Sequence, residues 1–494
     1  MPCKQNTPIS NFLVMKFIHQ DLCYFHLEAE MESTIHVSPN GMDVENCGSE
    51  RKKCRTIDYA LIQSKSNNVM LILENSPNKT IVHNTKGMLR LNNNYLQLRI
   101  TKECKDGANP TIYGYGSPFI APTDAIYLSI DAVDLQNIAI INSTNQNSSI
   151  ALSLQSMSIK TKLMIPFISM NQMKNNVNVT MQSCILKSSN NNPWLNISMA
   201  NVNIFRSNIK LINDIIEGGS FFLENVEEFE LSKSKIQNIH DIAVYKPPKV
   251  PSYITLVNVR EAVFRSNTTV NNSTFISFIY ARNSFIDIEN LYFHVTVNDY
   301  TFLVWRSSFK ANQIQVVHCK LKHRLFSSEE SKNITIQRFE LQNTTIDKNA
   351  FVVLKSNFNA KEIQVFDCFV NTFLFYGKES DNITIERFES QNTTIDKDAF
   401  VVLKSNFNAK EIQVFDCFVK TILFYSSESD NITIQRFELQ NTKIDDSAFF
   451  VSKSNFNTKE IRVINCFVKG FIVDVYKKGV INIKNAKIVD TELN

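Results

Sequence analysis

Glycine is scarce in this sequence, 11 of 494 residues, against 36 phenylalanines. With Asn, Ile, Val and Thr recurring throughout, that balance suits strands with an apolar inner face joined by polar bends, and it argues against a helical bundle. An excess of one charge is missing too. The 52 basic and 48 acidic side chains leave a formal net charge of +4, which makes no broad cationic field for nucleic acid phosphates and so removes nucleic acid as an expected partner. Nor is there a run of about 18 apolar residues, so no membrane-spanning helix is encoded. The apolar patch from Phe12 to Ile18 is broken by Lys16 and followed by His19, Gln20 and Asp21, a poor secretory leader. Residues 1–33 are read as a separate N-terminal segment, a weak signal or a disordered tail.

What is present is repetition. The stretch AFVVLKSNFNAKEIQVFDCFV from Ala350 to Val370 returns letter for letter from Ala399 to Val419, a shift of 49 residues. Diverged copies open at Phe302 and Phe449, and 49-residue units run from about 286 to 480. Repeats of this length mark a solenoid, propeller or array. Within each unit apolar residues fall twice at offsets 0, 2, 5 and 7, as in Ile334, Ile336, Phe339, Leu341 and in Ile363, Val365, Cys368, Val370. Two alternating pairs separated by a two-residue bend are two short strands of one coil, so each unit is two coils. The template carries back through Ile314, Ile286, Phe229, Val202, Val179, Leu152 and Val133, and forward to Ile481, at about 25 residues per coil. The pattern predicts an all-β, right-handed parallel β-helix of roughly 15 coils, the hand following the usual rule for strand crossovers.

Aligning the template coil on coil predicts columns of side chains along the axis. At offset 5 the column reads Cys319, Phe339, Cys368, Phe388, Cys417, Phe437, Cys466, an alternation of large and small residues with the cysteines two strand spacings apart, out of disulfide range. Buried free thiols are expected. At offset 4 the outward column reads Arg338, Asp367, Arg387, Asp416, Arg436, either a ladder of mutually neutralising pairs or a strip that binds a charged polymer. Sequons begin at thirteen Asn residues, among them Asn333, Asn343, Asn382, Asn392 and Asn431. They are glycosylation candidates if the chain is exported.

Residues 34–132 precede the regular coils of 133–494 and are expected to form a cap with the first coils. They hold a strand before Pro39-Asn40-Gly41, a loop from Cys47 to Cys54 and a short amphipathic helix beginning near Thr56. Val37 to Gly41, Cys47-Gly48 and Cys54 through Leu61 resemble the first coil of right-handed parallel β-helix proteins of the pectin-lyase-like superfamily. The resemblance covers nearly the whole chain after residue 34 and implies a Cys47–Cys54 disulfide, which fits an oxidising compartment.

Many members of that superfamily cleave acidic polysaccharides. This sequence has no Asn-Thr-Asp, Gly-His-Gly or Arg-Ile-Lys motif, its one Asp pair is Asp445-Asp446, and its eight His are scattered. Neither a paired-carboxyl hydrolase site nor a calcium cluster is recognisable, and no cofactor is implied. Near-identical coils present the same groups several times over, which suits a scaffold or multivalent surface. The expectation is a noncatalytic extracellular or cell-surface scaffold, adhesive or carbohydrate-binding, with polysaccharide or cell-surface glycans as partners. The alternative is a divergent polysaccharide lyase or glycoside hydrolase acting on an acidic polysaccharide.

Overall fold

The computed structural model describes residues 33–493, apart from 65, 86–88, 92–96, 116–117, 123–125, 144–145, 164, 190–192, 201–206 and 240–251. The segment 1–32 and the coil expected at Val202 lie outside the described residues. Each strand is paired in parallel with strands of neighbouring turns, giving a solenoid of about 15 turns.

The turn beginning at Asn333 shows the plan. Its long strand, Asn333–Gln342, buries Ile334, Ile336, Phe339 and Leu341. Asn343 at φ 47° bends the chain into the two-residue strand Thr345–Ile346. A loop then leads to Phe351–Leu354, and Lys355, again at φ 47°, turns the chain into the next long strand, Phe358–Phe366. The long and two-residue strands belong to one 34-stranded sheet, and the four-residue strands to a second of 16.

The corners account for the scarcity of glycine. Most positive-φ positions among the described residues are Asn, Asp, Ser, Lys, Glu or Arg, and none is β-branched. This is the selection that left-handed backbone imposes, since a branched Cβ fits it worst. Just past each corner the next residue points inward with a backbone N–H that must find an acceptor. At one corner a serine ladder supplies it: Ser307, Ser331, Ser356, Ser380, Ser405 and Ser429 each donate N–H to the Oγ of the serine one turn on, at 3.0–3.3 Å. At the other corner cysteine and threonine share the task, with Cys319, Cys368 and Cys417 donating N–H to Thr344, Thr393 and Thr442 Oγ1 at 3.2–3.4 Å.

This ladder corrects the predicted core column. Cys319, Cys368, Cys417 and Cys466 alternate with threonines at a corner, not with Phe339, Phe388 and Phe437. Those phenylalanines stack with isoleucines in the column Phe339, Ile363, Phe388, Ile412, Phe437, Ile461. A neighbouring column runs Phe358, Ile383, Phe407, Ile432, Phe456, in the opposite phase. Large therefore faces small in both directions, which close packing requires. Successive turns are alternately 24 and 25 residues long, as Ile334 to Phe358 and Phe358 to Ile383 show, and together these make the 49-residue unit. On the second sheet Phe302, Phe326, Phe351, Phe375, Phe400, Phe424 and Phe449 stack inward, ring centroids 6.0–6.5 Å apart.

At the N-terminal end the helix Ile57–Gln63 lays Ile57, Ala60 and Leu61 on the first strands, and Thr56 caps it by accepting the Tyr59 N–H at 3.2 Å. Cys47 and Cys54 are joined by a disulfide. Gly41 is required by crowding, because a Cβ there would stand 2.5 Å from the Lys53 carbonyl oxygen. Among the described residues no helix is long and apolar enough to cross a membrane.

Candidate functional site

The charge ladder exists, with different acids. Arg338, Arg387 and Arg436 lie in register with Glu362, Glu411 and Glu460 on the outer face of the long strands. The closest approaches are 3.9 Å for Arg387–Glu362 and 3.5 Å for Arg436–Glu411. Asp367 and Asp416 sit elsewhere, at the corner that follows the long strand, where no arginine separates them. There Asn392 Nδ2 donates to Asp367 Oδ1 at 2.6 Å and Asn441 Nδ2 to Asp416 Oδ1 at 2.9 Å. A second ladder, not anticipated, occupies the opposite corner, with Arg306–Glu330 at 2.6 Å, Lys355–Glu379 at 3.7 Å and Lys404–Glu428 at 3.5 Å. These exposed pairs neutralise one another and leave no net field for a charged polymer.

A different surface collects apolar and unpaired polar groups. On the outer side of the second sheet the residue after each inward Phe forms a row: Leu303, Ser327, Val352, Tyr376, Val401, Tyr425, Phe450. Tyr425 and Phe450 stack at 5.2 Å with planes 2° apart, and Phe373 stacks on Tyr376 at 5.5 Å. Leu303, Tyr376, Tyr425 and Phe450 are half-buried, Ser327, Val352 and Val401 between them are buried, and the row runs along the axis at one strand spacing per residue.

Beside its first turns lies a cluster that no repeat copies. Three residues before Phe302, Phe326 and Phe351, which pair in register, stand Asp299, His323 and Lys348. Lys348 Nζ lies 3.1 Å from His323 Nε2, and His323 Nδ1 lies 3.8 Å from Asp299 Oδ1. Tyr300 packs edge-on to His323 at 4.9 Å, and the Arg324 guanidinium lies 5.6 Å from the Tyr300 ring centroid. Burial, aided by the Lys348 and Arg324 charges, pushes the His323 imidazole down to about 4, so it is neutral at pH 7. Burial raises Asp299 against the pull of Arg324 and Lys348. Trp305, one turn before, has Arg282 and Arg306 at 4.8 and 5.0 Å from its ring.

The buried atoms Asn298 Oδ1, Thr301 Oγ1, Trp305 Nε1, His323 Nδ1, Arg324 Nε and Thr372 Oγ1 have no hydrogen-bond partner in the protein. Each of these atoms is itself shielded from solvent by the residues around it. Sequence reasoning passed over these residues because the histidines are scattered along the chain. Counting three back from each inward Phe would have stacked them.

The remaining predicted residues fall as follows. Cys184, Cys319, Cys368, Cys417 and Cys466 are buried free thiols, and burial pushes Cys319 and Cys368 up to about 12, well away from reactive thiolate chemistry. Asn333, Asn343, Asn382, Asn392 and Asn431 are all exposed. Among the described residues no group of three or more His, Cys, Asp or Glu is placed to hold a metal ion.

No family model and no curated protein matches this chain. Among solved structures it is similar to the GH136 lacto-N-biosidase from Eubacterium ramulus in two crystal structures. The native protein gives 10% identity over 92% of this chain and 68% of that one, with a TM-score of 0.17. The selenomethionine derivative gives 11% identity over 92% and 67%, with a TM-score of 0.16.

Proposed function

We propose that the protein is a noncatalytic glycan-binding β-solenoid displayed outside the cell, with the sugar chain lying along the outer face of the second sheet. The observation that carries this reading is the row of Tyr376, Tyr425 and Phe450, with the polar Asp299–His323–Lys348 cluster at one end. Flat rings offer an apolar face to the C–H side of a pyranose, while the exposed Lys348 and the half-buried Asp299 take its hydroxyls. An array of sites along an axis also suits a polymer, because successive units bind as one chain.

Replacing Tyr376 and Tyr425 together by Ala is expected to weaken glycan binding at least tenfold in calorimetry, while thermal unfolding of the variant stays close to wild type. Unchanged affinity would remove the strip from the account.

A second reading, a divergent polysaccharide lyase or glycoside hydrolase acting on an acidic polysaccharide, is favoured by one observation. The cluster has no copy among the described residues and combines a neutral imidazole with two cations and a carboxyl of raised pKa, the kind of perturbed group that catalysis uses. Release of shorter chains from a polyuronate, lost in His323→Ala, would establish it.

A further inference from the structure

Two of the sequons sit in a setting that asks for a sugar. We propose that Asn343 and Asn392 carry N-linked oligosaccharides, and that the first sugar on Asn392 packs over the phenylalanines of the same corner, the exposed Phe369 and the half-buried Phe418. This rests on the extracellular reading above.

Both asparagines are exposed, at φ 47° and 49°, on the corner between the long and two-residue strands. The hydroxyl residues that complete the sequons, Thr345 and Thr394, lie on the outer side of the two-residue strands, while Thr344 and Thr393 turn inward. Thr394 pairs with Phe369 on one side and Phe418 on the other. Phe369 is 39% exposed.

The next repeat supplies the contrast. There the segment is Asn441-Thr442-Lys443, in which the second hydroxyl is gone and with it the sequon. Lys443 reaches across the rings instead, its ammonium 5.3 Å from the Phe418 centroid and 5.7 Å from that of Phe467. Where the acceptor is lost, a long side chain covers the phenylalanines. Where it is intact, the short Thr394 leaves Phe369 exposed, and the apolar face of a sugar on Asn392 would take the place of the lysine.

The chemistry is compatible with the bonds already present. In the transfer, Asn Nδ2 forms a bond to C1 of the first N-acetylglucosamine of a lipid-pyrophosphate-linked oligosaccharide, the donor class of the secretory route. The C1–O bond to the pyrophosphate breaks, the lipid pyrophosphate leaves, and one amide proton is released. Nothing is oxidised or reduced. The modified amide keeps one N–H, enough for the hydrogen bond from Asn392 to Asp367.

The test is to pass the full chain through the secretory route of a eukaryotic host and read occupancy by glycopeptide mass spectrometry. Oligosaccharide at Asn343 and Asn392 is expected, and unmodified peptides at both would overturn the proposal. The packing is read separately. Thr345→Val with Thr394→Val removes both acceptors while keeping branched side chains on the strand. That change is expected to lower Tm by about 2 °C in the wild-type background, and by clearly less when Phe369 and Phe418 are both Ala. Equal losses in the two backgrounds would overturn the contact with the rings. Both readouts are independent of the glycan-binding assay, so failure there and failure here can be told apart.

Discussion

Asp214 is the residue at which the fold works against solvation. Its carboxyl is buried in the stack, where Oδ1 accepts the Cys184 N–H at 2.7 Å and Oδ2 has no partner. Burial pushes the group up to about 7 from 3.8. Between those values the folded chain holds a proton that the unfolded chain has released. Stability is therefore fully present below about pH 4 and is lost as pH rises through about 7. Asp214→Asn keeps the accepting oxygen and removes the charge. It should leave denaturant unfolding nearly unchanged at about pH 3.5 and stabilise the protein at about pH 8 by up to about 4 kcal/mol, from ~1.36 kcal/mol per unit; a variant no more stable than wild type at that higher pH would contradict the assignment.

His323 runs the other way. With its folded value depressed to about 4, the unfolded chain binds the extra proton between about pH 4 and 6.5, so the contribution is present above 6.5 and lost as pH falls toward 4. An imidazole NMR titration should find a midpoint well below 6, moving upward in Lys348→Gln. A midpoint near 6.5 that ignores Lys348 would dissolve the cluster.

At the scale of the element, the corners decide which turn stacks on which. Ser380→Ala leaves the Ser356 N–H without its acceptor and should cost about 1–3 kcal/mol. Ser380→Cys should cost much less, because at the opposite corner Cys319 Sγ already accepts the Val295 N–H at 3.2 Å. Equal losses in urea unfolding would mean that the ladder carries no energy.

The same corners explain what the sequence disclosed and what it hid. The +2, +3 spacing of apolar residues occurs three times in a turn, as Ile334/Ile336, Phe339/Leu341 and Thr344/Ile346. A template of two pairs therefore fits at two phases. In one turn Thr344 weakens the last pair, and in the next Ala360 weakens the first, so the best match slides by five residues on alternate coils. That slide put cysteine opposite phenylalanine and aspartate opposite arginine. Strand type, coil length and the 49-residue period survive any phase, which is why the solenoid was legible while its columns were not. The Thr and Ser ladders were hidden because buried hydroxyls look polar in a sequence, although inside they act as acceptors for the corner N–H groups.

On the scale of the molecule, the solenoid presents faces of different character. Two ladders of opposed charges cancel along their edges. One corner carries exposed sequons interleaved with phenylalanine, and the second sheet carries an aromatic row that has the His323–Lys348 contact at one end. The outer face of that sheet is where a ligand would find apolar area and polar groups together. The measurement that bears most directly on this account is a screen of neutral and acidic glycans against the purified chain, scored for both retention and cleavage, with the Tyr376→Ala, Tyr425→Ala double variant beside it. Binding without cleavage, lost in the variant, is the predicted result. Cleavage of any polymer, or binding that the variant retains in full, would contradict it.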